Sequence, residues 1–167
     1  MVGIVSVLAV GGAVAAVLML NPGILGMIAS PGSVDEGGTT GGESGTTATT
    51  VELQVPMYND WTSTGLWCDA GETFEITVTG EAWHDASPES LVGPDGLTGG
   101  EVPQARVFAD ANTASVIGGF DMTPEMFAVG SGTTHTCTAG GTLVLGINDT
   151  NLVGNSGEFS ATVTHYE

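Results

Sequence analysis

The sequence predicts an all-β fold over residues 51–167, an antiparallel β-sandwich of jelly-roll type, preceded by a hydrophobic N-terminal α-helix and a Gly/Thr linker. Two runs alternate apolar and polar side chains, Thr73-Phe74-Glu75-Ile76-Thr77-Val78-Thr79 and Phe159-Ser160-Ala161-Thr162-Val163-Thr164. A period of two puts alternate side chains on one face, so each run makes a strand with a dry side and a wet side. Turn signals punctuate the chain between such runs, among them Asp69-Ala70-Gly71, Gly93-Pro94-Asp95-Gly96 and Ala139-Gly140-Gly141. No helical periodicity of useful length follows residue 50, and about eight strands are expected for this length.

Residues 1–29 are expected to form a helical stem. Met1 to Leu20 is apolar apart from Ser6, and no charged side chain occurs before Asp35. At about 1.5 Å per residue the run is just long enough to span a bilayer core. Asn21-Pro22-Gly23 then breaks the helix. A signal peptide is the competing reading, because Ala13-Val14-Ala15 resembles a cleavage site. The basic stretch that should precede the apolar core is missing, so the segment is read as retained. Gly11 with Ala15, and Gly12 with Ala16, lie four apart on one face and allow close helix approach. The stem is therefore expected to pack against other copies of itself, in a membrane, a virion or a filament core. Residues 30–50, rich in Gly, Ser and Thr, cannot bury enough surface to fold and form a flexible linker of about 25 Å reach.

Within residues 51–167, Ala105-Arg106-Val107-Phe108-Ala109 and Thr142 to Ile147 are the other strand candidates. Leu143, Leu145, Ile147, Phe159, Ala161 and Val163 should face inward, and Trp61 and Trp67 are placed in the core. Cys68 and Cys137 should form a disulfide if the domain is exported; in a reducing compartment they would be two buried thiols. The exported reading rests on the apolar stem.

Nineteen acidic residues face a single basic one, Arg106, for a formal charge of −18. Nucleic acid is excluded as a partner, since no cationic surface exists to displace phosphate counterions. Only 12% of residues are charged, against about a quarter in an average protein, so the imbalance reflects missing Lys rather than surplus acid. Such a surface fits an exterior rich in salt or calcium.

The segment most informative for function is Gly146-Ile147-Asn148-Asp149-Thr150-Asn151-Leu152-Val153-Gly154-Asn155-Ser156-Gly157-Glu158-Phe159. An apolar strand runs into a loop of oxygen donors, then a Gly turn, then a second strand. Asn and Asp side chains with loop carbonyls are the hard ligands that Ca2+ needs. The alternative is that Asn148, Asp149 and Asn155 only satisfy turn amides. Asn148-Asp149-Thr150 also reads as an N-glycosylation sequon.

This segment resembles the calcium loop of the calcium-dependent, galactose-binding bacterial lectins of LecA type. Trp61 to Leu66 with Ala70-Gly71-Glu72, and Thr79 to Trp83 with Gly93-Pro94-Asp95-Gly96, resemble earlier strands and turns of the same family. The resemblance implies a lectin sandwich in which one calcium is held by an Asp, two consecutive Asn and two backbone carbonyls, and bridges two sugar hydroxyls. Asp149 matches the Asp and Asn155 the second Asn. The first Asn position is Gly154 here, which has no side-chain oxygen. The shorter loop shifts one carbonyl ligand to about Leu152, and the other falls near His84. Asn151 or Asp85 would have to replace the missing ligand. On the sugar side the resemblance points to Asp149 and Asn155, with Trp83 as a stacking platform and Asp85 beside it.

Three histidines, His84, His135 and His165, are too widely spaced to suggest a metal site among themselves. No Ser-His-Asp or Cys-His arrangement emerges, and enzyme activity is not expected. The reading is an extracellular carbohydrate-binding or adhesive domain, at a cell or virion surface, taking a galactose-like glycan and displayed on the hydrophobic stem. The alternative is a structural subunit of a surface filament or a membrane-containing virion that has lost its ligand. The stem bears a weak similarity to pilins.

Overall fold

The computed structural model describes residues 47–99 and 105–167. The stem expected over residues 1–29, and nearly all of the linker over 30–50, lie outside the described residues. Strand β1 (Ala48–Pro56) begins inside the segment read as linker. It is followed by β2 (Trp61–Cys68), β3 (Thr73–Thr79), β4 (Ala82–Trp83) and β5 (Leu91–Val92). Next come β6 (Val116–Phe120), β7 (Met126–Ala128), β8 (Gly132–Thr136), β9 (Gly141–Ile147) and β10 (Glu158–Tyr166). No α-helix occurs among the described residues.

Eight strands make two four-stranded sheets, in the orders β1-β10-β3-β8 and β2-β9-β6-β7. The short β4-β5 hairpin stands apart, and every strand pair is antiparallel. The chain repeatedly crosses between sheets, so each sheet contributes an apolar face to one core. Phe74, Ile76, Val78, Phe159, Ala161 and Val163 come from the first sheet, and Val116, Phe120, Leu143, Leu145 and Ile147 from the second. Each is at most 5% exposed. The six inward positions expected on β9 and β10 are thus all inward. Burying a Leu, Val or Phe side chain stabilises by about 1.5–3 kcal/mol.

The sheet edges are fastened by side chains. Cys68 and Cys137 are bonded, with Cα atoms 6.4 Å apart. At the β7/β8 edge the His135 ring stacks on Phe127, with centroids 3.7 Å apart and planes 6° apart. His135 Nε2 lies 3.1 Å from Glu125 Oε1, though without hydrogen-bond geometry.

Two expectations are corrected. Residues 105–109 form no strand but a loop, because the amides of Val107 and Phe108 donate to the side chain of Asn148 rather than to a neighbouring strand. Trp61 and Trp67 are not in the core; they are 40% and 51% exposed. Register pairs Trp61 with Gly146 and Trp67 with Thr142, on the outer face of the second sheet. The Trp61 indole lies where Gly146 leaves space, since a Cβ there would sit 2.7 Å from its ring. Trp67 instead donates its indole N–H to Asp69 Oδ1 at 3.0 Å.

Replacing both Cys68 and Cys137 by Ala should lower stability by about 2–5 kcal/mol. Denaturant unfolding of oxidised parent against variant measures it, and an unchanged midpoint would show that the bond contributes nothing.

Candidate functional site

The oxygen-rich loop leaves β9 at Ile147 and returns at β10, and its first residue is fully buried. Asn148 Oδ1 accepts from the amides of Val107 at 2.9 Å and Phe108 at 2.7 Å. Its Nδ2 donates to the carbonyls of Phe108, Ala111 and Asn112 at 2.8–3.0 Å. Its backbone pairs with Ala114 and Ser115. Every polar atom of this side chain is therefore engaged, and none is left for a ligand. Asn148 has 0% exposure, which also closes the sequon to glycosylation in the folded chain. The alternative that Asn148 satisfies backbone amides thus holds for this residue, but the distant loop it serves was not foreseen; an Asn directly after the apolar run Leu143–Ile147 was the signal.

Asp149 comes next and points the other way. Its Oδ1 accepts the Asn151 amide at 2.8 Å, an Asx turn that curls the loop. Its Oδ2 lies 3.3 Å from Asn155 Nδ2. Asn155 is 8% exposed, and the same Nδ2 donates to Met57 O at 3.2 Å. Both neighbours of Nδ2 are acceptors, which fixes the orientation of the amide. Asn155 Oδ1 is then left buried with no hydrogen-bond partner. An orphaned buried carbonyl of this kind costs about 1–3 kcal/mol unless something supplies a donor or a cation. The sequence-derived pair Asp149 and Asn155 is thus brought together.

The other expected residues divide. Asn151 Oδ1 is engaged with the Val153 amide at 3.3 Å. Leu152 packs partly against the core, while its carbonyl accepts the Asn155 amide at 3.2 Å and keeps a second lone pair. Trp83 is drawn to the loop by a two-way backbone bridge to Ser156, both bonds 2.9 Å. Its ring is 40% exposed and its edge lies over Gly157, where a Cβ would sit 3.6 Å from Cε3.

His84 and Asp85 follow Trp83 directly. The His84 amide donates to Ser90 O at 3.2 Å, and its Nδ1 is 3.9 Å from Asp85 Oδ2. Asp85 Oδ1 accepts the Ser87 amide at 2.6 Å. That bond, then the Ser90 hydroxyl and His84, hold the Asp85 carboxyl below the usual range despite some desolvation. Gly154, with φ +93°, packs directly on this segment: a Cβ there would lie 3.3 Å from Ala86 N and 3.7 Å from Asp85 Cα.

The donor set accordingly fits a hard cation in part. Asp149 and Asn155 offer side-chain oxygens, and the carbonyl of Leu152, bonded to the Asn155 amide, lies in the same loop. Calcium takes six to eight oxygens, so ligand hydroxyls and water would complete the shell.

This fold is similar to a solved lectin structure, the EclA N-terminal domain, a PllA-like lectin. Identity is 26% and the TM-score 0.54, over 68% of this chain and 94% of that one. No protein-family model matches the chain, and no curated protein matches it. The described domain therefore has a lectin-like fold, without pointing to the LecA type in particular.

Asn148→Ala should destabilise the domain by at least about 2 kcal/mol, because the amides of Val107 and Phe108 and the carbonyls of Phe108 and Ala111 lose their bonds to a fully buried side chain. Thermal unfolding reads this out. A loss under about 0.5 kcal/mol, the level of an ordinary surface change, would mean that the loop over 105–112 does not depend on it.

Proposed function

We propose that residues 51–167 bind a glycan, with calcium, at the loop that joins β9 to β10. The observation that carries the reading is Asn155 Oδ1, buried and unpartnered beside the Asp149 carboxylate, in a fold that a PllA-like lectin shares. Asp149 supplies the negative charge and Asn155 the neutral oxygen, while Leu152 and His84 contribute main-chain carbonyls. Calcium, when bound, offers open positions to neighbouring sugar hydroxyls. Trp83 presents an apolar ring face to a pyranose, and Asp85 accepts hydroxyl hydrogen bonds at the rim. A galactose-like sugar is the ligand proposed.

The wider proposal is a non-enzymatic adhesive domain outside the cell or on a virion. It is carried on the apolar N-terminal segment, through which copies assemble. The acidic surface supports an exterior, cation-rich setting.

A second reading has its own support. Gly154 removes one side-chain ligand, and Asp149 Oδ1 and Asn151 Oδ1 already hold turn amides. On that reading the domain is a structural subunit of a filament or virion and binds neither calcium nor sugar.

Titration calorimetry with calcium, followed by a glycan array with and without chelator, separates the two. The lectin reading expects calcium binding and calcium-dependent capture of a galactose-type glycan. Asp149→Asn and Asn155→Ala should each weaken calcium binding by at least about tenfold, the lower end of the loss seen when even an outer-shell partner is removed. Trp83→Ala should weaken the glycan and leave calcium alone. No calcium uptake and no glycan capture would leave the structural subunit as the function.

A further inference from the structure

At the opposite side of chemistry from the oxygen loop lies a cluster with sulfur and nitrogen donors. Cys68 ends β2, Glu72 stands in the turn before β3, and His165 sits near the end of β10. One ligand atom from each lies within 4.8 Å of the others. Cys137 is bonded to Cys68 and is tied to the same turn by backbone bonds, its amide to Glu72 O at 2.9 Å and its carbonyl from Gly71 N at 2.8 Å. His165 Nε2 is 2.9 Å from Glu72 Oε2, and the imidazole is held against Phe74, with ring centroids 4.8 Å apart. Cys68, Cys137 and His165 are all under 5% exposed, while the Glu72 side chain, 26% exposed, opens the cluster to solvent.

We propose that, once the Cys68–Cys137 bond is reduced, Cys68, Cys137, His165 and Glu72 form a tetrahedral zinc site. Two thiolates, an imidazole and a carboxylate are a donor set that Zn2+ prefers. With Zn–S near 2.3 Å and Zn–N or Zn–O near 2.0 Å, tetrahedral ligand atoms lie about 3.3–3.8 Å apart. The His165–Glu72 contact needs to open by only a few tenths of an ångström to reach that spacing. The sulfurs must part to that spacing as well, and cutting the bond is what releases them. Cys68, Glu72 and His165 already lie within 4.8 Å of one another, about 1 Å wider than that spacing, and Cys137 is carried to the group by its bond to Cys68.

The two states exclude each other, because a disulfide has no thiolate to give. An external dithiol or phosphine supplies two electrons, two protons complete the thiols, and the reductant leaves oxidised. Metal uptake then displaces both thiol protons. The same four residues therefore fasten the sandwich covalently in an oxidising compartment and by coordination in a reducing one.

The test uses the full chain in mild detergent, oxidised or reduced with a water-soluble phosphine, with Co2+ as a spectroscopic probe. The reduced chain should take up one Co2+ with a thiolate-to-cobalt absorption band that Zn2+ abolishes, and the oxidised chain should show no such band. Glu72→Gln and His165→Asn should each weaken reduced-state binding by at least about tenfold. If reduction unfolds the domain, Zn2+ should restore its strand signal in circular dichroism. A reduced chain that neither gives the band nor refolds with Zn2+ would overturn the site. So would full affinity in both variants, which would leave His165 and Glu72 as a structural pair.

Discussion

The domain depends first on how β9 ends. A buried amide side chain is tolerated only when all of its polar atoms are paired, and Asn148 meets that condition through loop 105–112 alone. The constraint fixes three things together. It closes the sandwich beyond β9 and gives the loop over 105–112 a structure without strand partners. It also sets the starting point of the oxygen-rich loop. Ala114, whose backbone amide meets Asn148 O at 3.0 Å, adopts φ 63°. A non-Gly residue in this region is strained by about 1–2 kcal/mol, and it persists because the surrounding bonds over-determine it.

Asn155, seven positions on, is the same residue type in the opposite condition. Its Nδ2 is used and its Oδ1 is not. Side by side, the two amides separate structure from function on physical grounds. A saturated amide organises backbone, whereas the one beside the Asp149 carboxylate keeps an unused acceptor. The Trp83–Ser156 bridge then brings the aromatic ring to the same loop by backbone pairing alone, while side-chain bonds of Asp149, Asn151 and Asn155 shape the loop itself.

Much of the fold was legible because it is local. The alternation in Thr73–Thr79 and in Phe159–Thr164 predicts which side chains are dry, and the core follows it. What was not legible depends on pairing between distant strands. Trp61 and Trp67 are apolar enough for a core, but the register of β2 against β9 turns them outward. A glycine on the facing strand makes the outer position habitable for Trp61. Val107 and Phe108 look like a strand, yet their amides are claimed by a side chain 40 or more positions away. The pairing of Asp149 with Asn155 was suggested by the resemblance, and the structure brings the two side chains together. The distinction between Asn148 and its neighbours was invisible, since no spacing rule says which amide of an Asn-rich loop is buried.

Gly154 bears on how far the lectin likeness extends. Its absent side chain is not a simple deletion from a site otherwise kept. With φ +93° a side chain at this position would be strained, and a Cβ would lie 3.3 Å from Ala86 N and 3.7 Å from Asp85 Cα, a close fit. The segment carrying His84 and Asp85 thus packs on the loop before β10 at Gly154. The Ser87 amide, then the Ser90 hydroxyl and His84, hold the Asp85 carboxyl charged to lower pH than usual. The two loops meet at Gly154 and through the Trp83–Ser156 bridge, so a change in either one is felt by the other.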